Sequence, residues 1–505
     1  MIFIVRGPEG QRRVEVDEAR SLGPQLLAFF EVDQISVFST PDKQDEFDKS
    51  QTPVTLGLKN GQVLYVEYEK KNEMPKKRQD GDKTIKRGRD RMLCQHDSNA
   101  MCSNCAPLDP WDEKYYKDNM IKYLSFGSYH EMMKSKKKEL YVDDYSVVVC
   151  SDHGSNTRCN RCQEKNIILT PQVFRMVDHV EFDGQHLVEN FIRNWRESGR
   201  QRFGFLVGRY MDHDMIPLGM KAVVSGIWEP EQEDYPDGFV ITGSIDEPFG
   251  GTGFGIVGMI YTDILMEKGG VTSDKLIRDY FLSSLEIEFM AKMQLMHPHT
   301  LKDGGHEVEF GSRFVTIIAT VEKDGSIGLQ EYQVSNQCMA LVKGNWILPT
   351  ENPKVFLARR DILYRTKAKE SMIKADPYLP GEFFLVKLTH GCKANPLFKN
   401  TEFIPKKFGD RRMAEYFGGD FSLEKFSNFT LLTRMRGMFS NWKDLFICIS
   451  SQNRSKFKAI SKSKDFKSFV SSMERYRCAG WECRACTFVN ERNTSACEMC
   501  NGKRE

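Results

Sequence analysis

The 505-residue chain lacks any apolar run approaching the roughly 18 residues of a membrane-spanning helix. Its first residues, Met1-Ile-Phe-Ile-Val-Arg6, are too short in their apolar part for a secretory signal. A membrane role therefore calls for a partner. There is little charge excess either: the net charge is +2, so no global field draws the chain onto nucleic acid. Hydrolase signatures are missing, with no Gly-x-Ser-x-Gly stretch and no Ser-His-Asp context. Gly253-Phe-Gly255-Ile-Val-Gly258 has the spacing of a phosphate-cradling loop. It enters the strand-like Ile256–Tyr261 and no helix N-terminus, which excludes a dinucleotide site. His297-Pro-His299 follows a helical stretch, has no Cys or placed carboxylate nearby, and reads as a surface or loop pair.

Cysteine, by contrast, is abundant and clustered. Cys94-x-His96-x5-Cys102-x2-Cys105 and Cys150-x2-His153-x5-Cys159-x2-Cys162 repeat one order of ligands with the same final gaps. Each supplies three thiolates and an imidazole, a closed tetrahedral set that suits Zn2+ and leaves no position for a substrate water. These are expected to be structural sites. A DNA-reading finger needs a long helix-coding spacer between ligand pairs, and none is present. At the far end, Cys483-x2-Cys486 and Cys497-x2-Cys500 stand ten residues apart, a third zinc-ligand set. A piece this short cannot bury enough apolar surface to fold alone, so metal must supply the folding energy. Thr487, Phe488 and Met499 are then expected on the outside as a docking surface. Clustered thiols without a secretory signal favour metal over disulfides and a reducing compartment.

The rest of the chain reads as a multidomain α+β protein. Residues 1–70 read as a small β-grasp or other α+β unit: a hairpin carrying Phe3, Val5, Val14 and Val16, a helix carrying Leu22, Leu26, Leu27 and Phe30, and a last hairpin around Asn60-Gly61. Residues 71–91 read as a basic linker, with Pro75-Lys-Lys-Arg78 and Lys86-Arg-Gly-Arg89 as candidate import signals. Residues 92–172 hold the paired zinc modules. From 173 to 350 a conventional α/β domain follows: a helix on Leu187, Val188, Phe191, Ile192 and Trp195, strands near 203–210, 220–228 and 254–264, a helix near 278–296, and a hairpin turning at Asp324-Gly325. Residues 351–478 form a mixed region rich in Lys and Phe, and 479–505 the terminal finger.

The chain resembles the nuclear protein localization protein 4 family. The resemblance rests on both Cys-His-Cys-Cys clusters, Cys105-Ala-Pro-Leu-Asp-Pro-Trp111, Phe203–Tyr210, Ile216–Met220, Tyr280–Ser284 and Tyr332–Leu341. It implies a ubiquitin-like (UBX-like) domain at 1–70 without the usual Phe-Pro-Arg turn, and an MPN domain at 173–350, the fold of zinc-dependent deubiquitinases. Active MPN members carry Gly-Trp-x-His-x-His-Pro and a later Ser-x2-Asp. Here Tyr261 and Asp263 stand at the two imidazole positions, and Glu307 occupies the Ser position after His297/His299, so the resemblance implies an inactive domain and no catalytic residue. It also implies an Npl4-type finger in which Thr487, Phe488 and Met499 contact ubiquitin weakly. Trp481 and Asn490 are read as structural. The implied function is a non-catalytic adaptor that brings ubiquitinated proteins to the valosin-containing AAA ATPase for extraction, unfolding and proteasomal degradation, including endoplasmic-reticulum-associated degradation. Ubiquitin fusion degradation protein 1 is the implied heterodimer partner, with three structural Zn2+ and a cytoplasmic and nuclear location, peripheral at the endoplasmic reticulum through partners. A zinc-dependent deubiquitinase and a single-stranded-RNA-binding finger protein using Arg484 and Arg492 are the alternatives.

Overall fold

The computed structural model describes residues 1–7, 10–30, 35–40, 45–68, 83–88, 94, 96–97, 100–140, 144–145, 167–243, 247–267, 270–303, 305–365, 371–406, 408–478, 481–483, 485–486, 488–490 and 494–503. Among these no helix is long and apolar enough to cross a membrane.

In the N-terminal unit, β1 (Ile2–Gly7) and β2 (Gly10–Glu15) form the expected hairpin, with Gly7 opposite Gly10. α1 (Leu22–Phe30) packs Leu22, Leu26 and Phe30 against Phe3, Val5 and Val14. β4 (Val63–Tyr68) runs parallel to β1 and antiparallel to β3 (Ile35–Phe38), giving the order β2-β1-β4-β3. The hairpin expected around Asn60-Gly61 does not form. Thr52 to Leu58 coil into turns, with Leu56 N–H donating to Thr52 (3.1 Å) and Leu58 N–H to Pro53 (3.0 Å). Asn60 Oδ1 accepts from Ile2 N–H (2.7 Å) and Gly61 N–H donates to Ile2 (2.7 Å). The Asn-Gly pair therefore anchors the first strand; it turns no hairpin.

The basic stretch read as a linker is built into the zinc region at its end. Ile85 and Leu108 form an antiparallel bridge, and Arg87 donates to the carbonyls of Ala106 (2.7 Å) and Ser103 (2.6 Å). α2 (Glu113–Asp118) and α3 (Phe126–Ser135) follow. The hydroxyls of Ser125 and Ser128 donate to Pro217 (2.6 and 2.7 Å), tying α3 to the main domain.

An eight-stranded mixed sheet forms the main domain. Its strands are β5 (His179–Phe182), β6 (Phe203–His213), β7 (Gly219–Trp228), β8 (Gly255–Asp263), β9 (Val315–Val321), β10 (Ile327–Val334), β11 (Leu385–Lys387) and β12 (His390–Cys392), ordered β11-β10-β9-β8-β6-β7-β5-β12. The two edge strands lie beyond residue 350, so the expected boundary there is crossed: β11 pairs with β10, and β12 runs parallel to β5. Ile167–Leu169 likewise crosses the expected boundary at 172 by pairing with Ile362–Tyr364. Helices cover both faces. α4 (His186–Ser198) sets Leu187, Val188 and Phe191 on Val224, Ile260 and Ile317. α6 (Ser284–Met296) and α7 (Asn336–Lys343) cover Phe203, Met259 and Ile318. The helix expected near 278–296 begins at Ser284, because Asp279 adopts a left-handed backbone (φ 52°) that ends the short α5 (Asp274–Arg278). Ser283 then restarts the chain with a capping box closed by Glu286.

The weakly patterned region 351–478 divides in two: strands up to His390–Cys392 and then helices, from Asp410–Phe417 to Lys464–Cys478. Its phenylalanines make the core: Phe417, Phe426, Phe429, Phe446 and Phe469 are buried, and Phe249 and Phe254 of the main domain join them. Contact with the sheet is close at Gly226, where a Cβ would lie 2.3 Å from the Phe429 ring. Gly226→Ala is therefore expected to overpack this seam and cost about 1–3 kcal/mol, read as a lower urea midpoint at unchanged slope.

Candidate metal centres

The donor atoms of Cys94, His96, Cys102 and Cys105 all lie within 4.8 Å of one another, as do those of Cys483, Cys486, Cys497 and Cys500. A tetrahedral zinc with thiolates at about 2.3 Å places sulfurs roughly 3.8 Å apart. In the first cluster Cys102 Sγ is 3.7 Å from Cys94 Sγ and 3.8 Å from Cys105 Sγ. None of these cysteines, nor any of the four in the terminal finger, is in a disulfide. His96 Nδ1 is bound to the Asp97 carbonyl (2.9 Å), which directs Nε2 toward Cys105 Sγ (3.2 Å) and makes it the available ligand atom. Backbone N–H groups of Asn104 and Cys105 face the Cys102 thiol, and the Asn104 contact leads in lowering it to about 6, toward the thiolate that metal requires. The residues present therefore fit zinc. Cys150, His153, Cys159 and Cys162 lie outside the described residues.

In the terminal finger, Trp481–Glu482 pairs with Val489–Asn490 as a two-residue ladder. Cys483 Sγ is 3.4 Å from Cys500 Sγ and Cys486 Sγ 3.4 Å from Cys497 Sγ, so each contact links the two knuckles. Asn490, 1% exposed, spans them as well: its Nδ2 donates to Phe488 (3.1 Å) and its Oδ1 accepts from Glu498 N–H (2.7 Å). Of the expected docking residues, Met499 is 68% exposed, while Phe488 is half-buried against Cys483 and Cys497. Thr487 lies outside the described residues.

A different arrangement holds the end of β8. Tyr261 and Asp263 do not face an open position. Lys275, 6% exposed, places Nζ 2.8 Å from Asp263 Oδ2 and 2.6 Å from Glu286 Oε1. Tyr261 donates its hydroxyl to Glu286 Oε1 (2.8 Å), with the ammonium 5.7 Å from its ring centroid. Glu286 Oε2 accepts from Ser283 N–H and Oγ, both at 2.8 Å. Burial raises the Glu286 carboxyl, but Lys275 and Ser283 outweigh it and the net shift is down. Periodicity and ligand spacing pass over Lys275 and Glu286; the one legible trace was Ser283-x2-Glu286, a capping box in sequence. The His297/His299 pair lies in the loop after α6, as expected, but is packed and not open on the surface. His297 stacks on Phe314 (4.7 Å) and His299 meets Phe126 edge-on (5.8 Å), both half-buried between elements. Burial, with Arg313 adding to it, pushes His299 down to about 4.

Comparison with known proteins agrees with this organisation. The NPL4 family model matches residues 202–474, and a second model, for that family's zinc binding region, matches 69–199. The chain belongs to the NPL4 family. It is 30% identical over 498 residues to nuclear protein localization protein 4 homolog of Drosophila melanogaster, covering 83% of this chain and 76% of that one. Against nuclear protein localization protein 4 of Saccharomyces cerevisiae it is 33% identical, covering 67% and 68%. The Mus musculus homolog is 29% identical, covering 89% and 85%. The zinc-region match begins at residue 69 and so takes in the whole basic stretch, in keeping with the pairing of Ile85 and Arg87 beside the first cluster.

Asn490→Ala would leave the Glu498 N–H without its partner and take from the Phe488 carbonyl one of its two donors, the Cys483 N–H remaining. The finger is expected to release zinc at a chelator concentration roughly tenfold to a hundredfold lower, read with a zinc indicator, while the other sites hold.

Proposed function

We propose that this NPL4-family chain is a non-catalytic adaptor that brings ubiquitinated proteins to the valosin-containing AAA ATPase. ATP hydrolysis in that motor would then extract and unfold the client for proteasomal degradation, including degradation from the endoplasmic reticulum. In this reading the chain acts as a heterodimer with ubiquitin fusion degradation protein 1, in cytoplasm and nucleus, and reaches membranes only through partners. The β-grasp-like unit at 1–70 serves as the ubiquitin-like domain facing the ATPase, and the sheet domain is an MPN fold retained for binding.

The observation that carries the non-catalytic part is the ammonium of Lys275 between Asp263 and Glu286. A hydrolytic metal site needs ligands around an open coordination position and a bound water. Here a buried side chain fills the space between the two carboxylates. Tyr261, at one of the imidazole positions, is committed to Glu286. This argues against the deubiquitinase alternative. The RNA-binding alternative draws on Arg484 and Arg492, which lie outside the described residues, whereas the exposed Met499 supports a protein partner.

Zinc in this reading is structural throughout and occupies three sites: Cys94/His96/Cys102/Cys105, Cys150/His153/Cys159/Cys162 and Cys483/Cys486/Cys497/Cys500. Metal analysis of the purified chain is expected to return about three zincs per chain; two would remove one site from the account. Ubiquitin contact at the finger is assigned to Thr487, Phe488 and Met499. The small apolar area implies weak affinity for one ubiquitin, raised by a chain of them through avidity. A polyubiquitin pull-down comparing the wild type with Thr487→Ala/Phe488→Ala is expected to show retention falling several-fold for the double variant. Because Phe488 packs on Cys483 and Cys497, zinc content is measured on the same samples. Equal retention would remove the finger as a receptor; lost zinc would assign the effect to folding.

A further inference from the structure

We propose that Lys275 is a cation built into the chain: its ammonium does at the end of β8 what an exchangeable divalent ion would do, and its presence keeps such ions out. The inference stands on the geometry of the cage and survives loss of the ubiquitin-receptor reading.

Two carboxylates converge on one point from different elements. Asp263 ends β8 and Glu286 lies in the first turn of α6, while Lys275 reaches between them from α5. All the donors around that point are oxygens: Asp263 Oδ2, Glu286 Oε1 and, on Glu286, the Tyr261 hydroxyl. Thr320 Oγ1 also donates to the Asp263 backbone carbonyl (3.1 Å) and lies 3.4 Å from Oδ2. An all-oxygen set selects hard cations such as Mg2+, Mn2+ and Ca2+, in contrast to the thiolate sets that hold zinc elsewhere in the chain. Two negative charges face a single ammonium, so the cage has charge enough for a divalent ion once the lysine is gone. Tyr261 supplies the ring face beneath the ammonium and orients Glu286.

The outer contacts show that the cage is fixed. Ser283 holds the second Glu286 oxygen through both N–H and Oγ. Asp274, at the start of α5, accepts from the Tyr280 hydroxyl (2.8 Å) and pairs with Arg278 Nε (2.9 Å), bracing the segment that carries Lys275. Burial disfavours the charged lysine, but Glu286 and Asp263 outweigh it, and the Lys275 ammonium is stabilised on balance. The lysine thus joins three elements by charge and blocks the one place where their oxygens converge.

The test uses the full-length, zinc-loaded protein and Mn2+ as the probe, followed by electron paramagnetic resonance. Mn2+ is a poor competitor for thiolate sites, so the zinc clusters do not confuse the count. Wild type is expected to bind no Mn2+ at the cage. Lys275→Ala should take up about one Mn2+ per chain at sub-millimolar concentration, with Tm rising on addition of the metal. Lys275→Met, which fills similar space without charge, should bind none and should show a lowered Tm that Mn2+ does not restore. If Lys275→Ala is poorly soluble, its recovery from cultures with and without added Mn2+ gives the same readout, and rescue by the metal supports the proposal. Mn2+ uptake by wild type equal to that of Lys275→Ala would overturn it. So would a Lys275→Ala protein that neither binds nor is rescued by Mn2+, or a Lys275→Met protein as stable as wild type.

Discussion

The central strands are buried on both faces, and most of the architecture answers to that constraint. Every residue of β9 is buried. Its Ile317 and Ile318 enter the separate clusters under α4 and under α6 and α7. A sheet covered in this way needs helices on both sides and cannot end in unpaired polar groups. The chain meets the first need with α4 on one face and α6 and α7 on the other. It meets the second at the end of β8, where Tyr261 and Asp263 emerge into a buried cage neutralised by Lys275. A carboxylate left unpaired there would carry a desolvation penalty of several kcal/mol, so the partner has to be internal or a bound ion. Close contacts follow from the same crowding. A Cβ on Gly208 would sit 1.8 Å from the Val223 carbonyl oxygen, and one on Gly258 would sit 2.3 Å from that of Val315.

The metal knuckles solve the opposite problem. Among the described residues of the terminal finger the buried cluster is small: Cys483 and Cys497, with Cys486 and Phe488 packed beside them. Metal–thiolate bonds must supply what burial cannot. The sequence showed this plainly, because ligand spacing is a local property. The same holds for the first cluster, where the structure adds Asp97 as the partner that orients His96. That the basic stretch closes over this cluster through Ile85 and Arg87 was not legible, because a charge run carries no periodicity to announce a bridge.

Long-range features were the hardest to read. The strands Phe203–His213, Gly219–Trp228 and Gly255–Asp263 were visible as apolar runs. The edge strands of the same sheet were not, since Leu385–Lys387 and His390–Cys392 are three residues each and pair with Ile327–Val334 and His179–Phe182 across large sequence separations. Asn60-Gly61 read as a hairpin turn, and the competing contacts with Ile2 overrode that local preference. The C-terminal helices were obscured because their buried positions are filled by phenylalanines scattered among lysines. Tyr261 and Asp263 were legible as residues at the end of an apolar strand, but the lysine that reaches them from a neighbouring helix was not. Lys275 lies twelve residues beyond Asp263, and only the fold brings the two together.

The central claim is that the metal sites of this chain are closed and structural, and that the oxygen cage at the end of β8 is filled by the Lys275 ammonium and holds no metal. X-ray absorption at the zinc edge of the full chain tests it most directly. The account predicts four-coordinate zinc dominated by sulfur at about 2.3 Å, with only the imidazole nitrogens as light ligands. A zinc population with mostly oxygen and nitrogen neighbours at about 2.0–2.1 Å, including a bound water, would contradict it.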